Sequence, residues 1–265
     1  MKIALLISLA ILAWLGLRSL EGMAMYYPDR QLIATPAICR LRYEDVVLQT
    51  SDGKRVHGWF IPSGQADAPV ILLCHGNAGN ISHRLDKAVM LHHINLAVLL
   101  FDYRGYGQSE GVPSEQGTYA DAEAAYRYLT EVKKISPGRI VLYGESLGCA
   151  VAVELARRHP AAALILESPF TSTVAMAKRL FPWLPIGWMV RNRYDNLSKI
   201  AQMKMPLLVM HSPQDEIVPL QMGQQLYAAA PNPKTFFELM GSHNDGFLES
   251  GERYTSAIRQ FLKGT

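Results

Sequence analysis

Cysteine is scarce in this chain. Cys39, Cys74 and Cys149 are the three present, too few for a disulfide-rich scaffold, and no C-x-x-C or H-E-x-x-H spacing offers a zinc site. Cys74 sits in an apolar run and Cys149 in a small-residue helical stretch, which suits inert packing thiols better than ligands or nucleophiles. Charge is sparse as well. Charged residues make up 18%, with 26 Lys plus Arg against 23 Asp plus Glu, a net +3. Without a run of five like charges, nothing argues for a nucleic-acid partner. No internal repeat or low-complexity linker appears. Apolar residues are what the chain has in quantity, 49% of 265, enough for one large α/β domain and its core.

One strongly apolar uncharged stretch is amino-terminal. Ile3 to Leu17 contains no charge and is interrupted only by Ser8 and Gly16, with Lys2 before it and Arg18 after. As a helix it would rise roughly 22 Å, short of the about 30 Å of a hydrocarbon core. That length suits a signal anchor or a signal-peptide core. The best small-x-small cleavage site, Gly22-Met23-Ala24, is poor, so residues 1–22 are expected to be an uncleaved anchor on a membrane. A cleaved signal, giving a secreted or periplasmic protein, is the alternative; a helix packed on the domain is a third. Few flanking charges leave the orientation weakly specified.

Beyond a lead-in at 23–42, short apolar runs alternate with helical periods. Tyr43 to Gln49 and Val56 to Ile61 flank Ser51-Asp52-Gly53, which predicts a hairpin. Val70–Cys74, Leu96–Phe101, Ile140–Tyr143, Ala163–Leu166 and Leu207–Met210 read as strands buried on both faces. Thr235 to Leu239 closes the series. Ala122, Ala125, Tyr126 and Leu129 have helical spacing, as do Tyr254, Ile258 and Phe261. Strand, helix, strand in succession predicts an α/β domain over 43–265, a mostly parallel sheet with helices on both faces.

Gly144-Glu145-Ser146-Leu147-Gly148 falls between a predicted strand and a predicted helix, the setting in which G-x-S-x-G carries chemistry. The tight turn lifts the Ser146 hydroxyl out of the sheet at a helix N-terminus, where developing negative charge is favoured. A nucleophilic serine needs a base and an acid to orient it. Among eight histidines, His57 lies mid-strand, His83, His92 and His93 decorate a helix, and His159 ends one. His211 ends a strand. His243 lies in a small-residue loop between the last strand and last helix, where it can lean over Ser146. For the acid, Asp215 just past Leu207–Met210 competes with Glu167 and Glu216. The order Ser146, Asp215, His243 favours Asp215.

Tetrahedral charge needs two donors. The Leu147 N–H is one; the Asn77 N–H in His75-Gly76-Asn77-Ala78-Gly79-Asn80 is the best-placed second. That loop lacks the Gly-Lys-Ser/Thr of a phosphate loop. Gly105-Tyr106-Gly107-Gln108-Ser109-Glu110 misplaces the third glycine of a dinucleotide fingerprint and opens a loop, not a helix. No metal or organic cofactor is implied.

The strand–His75-Gly76-Asn77 loop, Asp102 to Ser109, Gly144 to Gly148, and the Asp215 and His243 loops together resemble the α/β-hydrolase superfamily. More narrowly they resemble its Bem46-like, membrane-anchored branch, which includes the α/β-hydrolase-domain 13 and 17 groups, over roughly Tyr26 to Phe261. The resemblance implies Ser146, Asp215 and His243 as the triad, the Asn77 and Leu147 amides as oxyanion donors, and a structural Asp102–Ser109 loop. It also implies a cap at about 169–200, where Phe170, Leu180, Phe181, Trp183, Leu184, Ile186, Trp188, Met189 and Val190 cluster around Pro182, Pro185 and Gly187. Such a cap suits an apolar acyl chain; it equally suits plain packing, and Trp183 and Trp188 suit a membrane interface. Unlike the depalmitoylases of that branch, this chain has no cysteine in its first 38 residues. The expectation is a serine hydrolase of carboxylic esters or thioesters acting on a small or lipid-like acyl substrate. A peptidase or amidase on the same fold, and a non-catalytic interaction protein, are the alternatives.

Overall fold

A computed structural model describes residues 25–183 and 189–264, together with Gly22 and Gly187. The apolar run at 3–17 lies outside the described residues, as do Leu184, Ile186 and Trp188. Among the described residues no helix is long and apolar enough to cross a membrane.

The strands are β1 (Tyr27–Pro28), β2 (Glu44–Gln49), β3 (Arg55–Ile61), β4 (Val70–Cys74), β5 (Ala78–Gly79), β6 (Ala97–Phe101), β7 (Ile140–Glu145), β8 (Ala163–Glu167), β9 (Leu207–His211) and β10 (Lys234–Glu238). The helices are α1 (Leu85–His93), α2 (Glu115–Arg127), α3 (Leu147–Arg158), α4 (Thr173–Leu180), α5 (Leu197–Ile200), α6 (Leu220–Ala229) and α7 (Gly246–Lys263). Among the described residues the main sheet has eight strands in the order β10-β9-β8-β7-β4-β6-β3-β2. From β6 through β10 the pairs are parallel. At the other edge β3 runs antiparallel to both β2 and β6, the hairpin that the Asp-Gly turn predicts.

Alternation along the central strands divides the core in two. Val70, Leu72 and Cys74 face a cluster with α2, α3 and α6. Ile71 and Leu73 face one with α1 and α7. Every residue of β4, β6, β8 and β9 is buried, which is why these strands read as continuous apolar runs rather than alternating ones. Cys74 and Cys149 are buried thiols, and burial raises the pKa of each. The loop from Asp102 is structural. Arg104 pairs with Asp121 at 2.9 Å and with Asp52 of the hairpin turn at 2.7 Å, and buried Asp102 accepts the Ile81 N–H at 2.9 Å. A two-stranded parallel pairing of β1 with β5 ties the lead-in to the loop that follows β4, so the amino-terminal approach ends beside the carboxyl ends of the parallel strands.

Candidate active site

β7 leaves the sheet and enters α3 through Ser146, whose backbone at φ 51° and ψ −114° is strained for a residue with a side chain. Two glycines make the turn physically accessible. A Cβ on Gly148 would overlap the Cys74 carbonyl, and one on Gly144 would overlap the Cys149 backbone. The Ser146 N–H donates to the Glu167 carbonyl at 2.9 Å, fastening the turn to β8.

The structure brings three of the residues singled out above into one chain of hydrogen bonds. The Ser146 hydroxyl lies 3.0 Å from His243 Nε2, and His243 Nδ1 lies 2.7 Å from Asp215 Oδ2. With Nδ1 protonated and donating to the carboxylate, Nε2 is left to accept the serine proton. Asp215 is itself fixed. Its Oδ1 accepts the backbone N–H of Ile217 at 3.0 Å and of Val218 at 2.7 Å. Its side chain is fully buried. Burial works against its ionisation, yet hydrogen bonds from His211 and His243 outweigh that and hold the carboxyl well below the usual range.

Two neighbours of this chain, both named above as candidates, take roles that the sequence did not indicate. His211 Nε2 donates to the Val218 carbonyl at 2.9 Å and lies 3.2 Å from Asp215 Oδ2, so buried His211 approaches the same carboxylate oxygen as His243. Its position four residues before Asp215, at a strand end, was the available signal. Glu216 accepts the His243 N–H at 3.1 Å and so holds the histidine loop rather than orienting the imidazole.

Glu167 points elsewhere. It belongs to a buried ionic group beneath the turn, where Lys87 Nζ lies 2.6 Å from Glu145 and 2.9 Å from Glu167. Arg84 reaches Glu145 at 3.1 Å, and Tyr143 donates to Glu167. Burial opposes the charge on Glu145, but Arg84 and Lys87 outweigh it and bring its carboxyl down to about 2. Sequence reading missed this group, because a lysine on a short helix ordinarily implies a solvated face.

His75 is excluded as a competing base. It is buried, its Nδ1 donates to the Gly76 carbonyl at 2.7 Å, and burial lowers its pKa to about 3, so the ring stays neutral. The Asn77 peptide is clamped on both sides. Its carbonyl accepts from the Tyr106 hydroxyl at 2.7 Å and the Tyr27 N–H at 3.0 Å, and its side chain donates to the Met25 carbonyl at 3.0 Å.

Ser146, His243, Leu147 and Asn77 all line a cavity of about 530 Å³. Met25, Phe170, Met176 and Val190 form much of its apolar wall, and the outer side is α4 with Leu180 and Phe181. Among the described residues that line it, Glu145 is the one carboxylate, and it is already paired with Lys87 and Arg84. No group of three or more His, Cys, Asp or Glu side chains among the described residues is arranged to hold a metal ion.

Residues 65–196 match the family described as serine aminopeptidase, S33. An esterase of Pyrococcus furiosus superposes with a TM-score of 0.74 over 91% of this chain and 97% of its own, at 24% identity. An esterase of Exiguobacterium antarcticum gives 0.64 over 83% and 100%, at 16% identity. Likeness at those identities carries the fold. Closer in sequence are an uncharacterized protein of Mycobacterium tuberculosis, 42% identical over 93% of this chain and 89% of that protein, and the protein bem46 of Schizosaccharomyces pombe, 34% identical over 88% and 81%. The α/β-hydrolase domain-containing protein WAV2 of Arabidopsis thaliana is 41% identical over 92% of this chain and 84% of its own. Fold, turn geometry and these relatives agree: the chain belongs to the α/β-hydrolase family and is a hydrolase of that fold.

Proposed function

We propose that this protein is a serine hydrolase that cleaves carboxylic ester or thioester bonds of apolar acyl substrates through an acyl-enzyme. The observation that carries the reading is the continuous chain from Asp215 through His243 to Ser146, opening into an apolar cavity. As the Ser146 oxygen attacks the carbonyl carbon, its proton passes to His243 Nε2. Asp215, ionised at neutral pH, keeps Nδ1 protonated and stabilises the imidazolium. The oxyanion is held by the Leu147 and Asn77 amides. Collapse breaks the bond to the alcohol or thiol, which leaves with the proton from His243. Water, deprotonated by the same nitrogen, then releases the acid and restores Ser146. The 169–200 segment acts as the cap that contacts the acyl chain.

The family description favours a second reading, an amidase or aminopeptidase. Recognition of a substrate amine calls for an available carboxylate, and Glu145 is committed to Lys87 and Arg84. That supports the ester reading over the peptide one.

Ser146→Ala tests the mechanism. It should remove fluorophosphonate labelling and lower ester turnover by roughly 10⁴-fold or more, with an unchanged melting temperature. Retained turnover would overturn the reading, and faster cleavage of aminoacyl amides than of matched esters by the wild-type protein would replace it with the second. We also propose that residues 1–22 hold the enzyme on a membrane. Their deletion should release protein that still hydrolyses short, water-soluble esters; loss of that activity would make the segment part of the fold.

A further inference from the structure

The helix over the cavity is held differently from every long helix beneath it. None of its eight residues is buried, and the chain leaves it through Leu180, Phe181 and Trp183, which are 64%, 45% and 76% exposed. Phe181 and Trp183 meet edge to face with ring centroids 6.4 Å apart. Leu180 and Phe181 also line the cavity above Ser146, so one apolar surface runs from the reacting hydroxyl out to an exposed tryptophan.

Charge on this segment has one sign. Residues 171–193 contain four Lys or Arg and no Asp or Glu, and Lys178 and Arg179 in the last turn of α4 are both exposed. Exposed aromatic and aliphatic side chains bordered by cations are the pattern of a surface that rests in the headgroup region of an anionic bilayer. A second, independent feature points the same way. Met25 and Tyr27, which follow the apolar run at 3–17 in the chain, line this same cavity. The apolar amino-terminal run is therefore followed closely in the chain by side chains that line the cavity.

We propose that the face carrying Lys178, Arg179, Leu180, Phe181 and Trp183 lies on an anionic lipid surface, so that the cavity opens to the bilayer and takes its acyl substrate from it. The lipid-contact part stands on exposure and charge; the identity of the substrate as a membrane-borne acyl ester rests on the serine-hydrolase reading above. Cations at a membrane surface contribute about fivefold each to association with anionic lipid, and the apolar triad adds the buried area.

The test uses the full chain in vesicles of phosphatidylcholine with or without phosphatidylglycerol, doped with lipid brominated on the acyl chain. In a Cys39→Ser background, whose other two cysteines are buried, a bimane dye is placed at Trp183→Cys. A control dye goes at Gln260→Cys, which shares a hollow with Pro206 and Pro233 at the opposite end of the sheet. The dye at position 183 should be quenched severalfold more than that at 260, and more strongly with phosphatidylglycerol present. Lys178→Gln with Arg179→Gln should lower the rate on a long-chain ester in those vesicles roughly tenfold or more while leaving short-ester turnover unchanged. Equal quenching at the two positions, with full short-ester turnover, overturns the proposal and assigns the apolar face to a protein partner. Strong quenching at 183 with no ester turnover upholds the lipid contact and overturns the hydrolase reading instead.

Discussion

Two helices border the cavity that Ser146 lines, and they are built on opposite principles. α3 follows Ser146 and buries ten of its twelve residues; α4 covers the cavity and buries none. Around α3 small side chains let backbone touch backbone, and the strained turn persists because its surroundings over-determine it. Around α4 the contacts are half-exposed side chains that can yield without disturbing the sheet. Chemistry that tolerates little displacement is thus placed in the densest part of the molecule. The surface that, in the proposed function, contacts the acyl chain is placed in the loosest.

Four probes sharpen this contrast, in falling order of effect. Asp215→Asn should cut kcat by about 10⁴-fold, as loss of the orienting acid does in a comparable triad. Glu167→Gln should instead lower thermal stability, because it leaves buried Lys87 with less counter-charge. Steady-state kinetics and melting curves of both variants decide the matter, and the reverse ranking would transfer the orienting role to β8.

Next comes a pair of glycines. Gly148→Ala places a methyl group into the Cys74 carbonyl and should lower the Tm by roughly 10 °C. Gly187→Ala, whose new methyl would find its nearest neighbours at 3.9 Å, should leave it within about 2 °C. Equal shifts in a thermal scan would abolish the distinction between the two regions.

Acid provides a third probe. Glu145, just before α3, and Glu154, within it, have carboxyls brought down to about 2 from an ordinary 4.5. In each case burial opposes ionisation and neighbouring Arg and Lys side chains outweigh it. A depressed folded-state pKa contributes stability that is complete above about pH 4.5 and is lost as pH falls towards 2. Tm should accordingly drop through that interval. A Tm that holds steady from pH 5 to about pH 3 would show that these carboxylates carry no net share of it.

The smallest effect belongs to the covering helix. Met176→Ala on α4 removes part of the cavity wall and should reduce kcat/KM on long-chain esters by about tenfold, with short esters and Tm little changed. A loss shared equally by short and long esters would mean that α4 positions the reacting group as well as the chain.

The contrast also explains what could be read from the sequence. The eight strands of the sheet were legible because each is short and bounded by turns; the central ones, buried on both faces, are continuous apolar runs, while the partly exposed edge strands β2 and β10 were marked by their few β-forming residues and the turns beside them. The meeting of Ser146, His243 and Asp215 was legible because each stands at the carboxyl end of a parallel strand or just beyond it, and a parallel sheet gathers those ends together. The β1–β5 pairing was not. Two-residue strands have no periodicity, and Tyr27–Pro28 is extended only because the loop after β4 offers it partners. Nor was the place of Lys87 legible, since the carboxylates that bury it stand 58 and 80 residues away. His211 was seen as a strand end, but its closeness to Asp215 depends on the turn in which the Asp215 N–H donates to the Ser212 carbonyl.

The ionic group beneath the Ser146 turn has a consequence for anyone redesigning this protein. Position 145 sits next to the proposed nucleophile and is an inviting place to introduce diversity. Its side chain, however, is one of two carboxylates neutralising a lysine that is 1% exposed. Removing one member of such a set strands the others, so a library that varies position 145 by itself will be dominated by destabilised proteins. Arg84, Lys87, Glu145 and Glu167 form the unit of heredity here: productive variants will be found by changing them together, as a matched set of charges or as a matched set of apolar residues of the same volume.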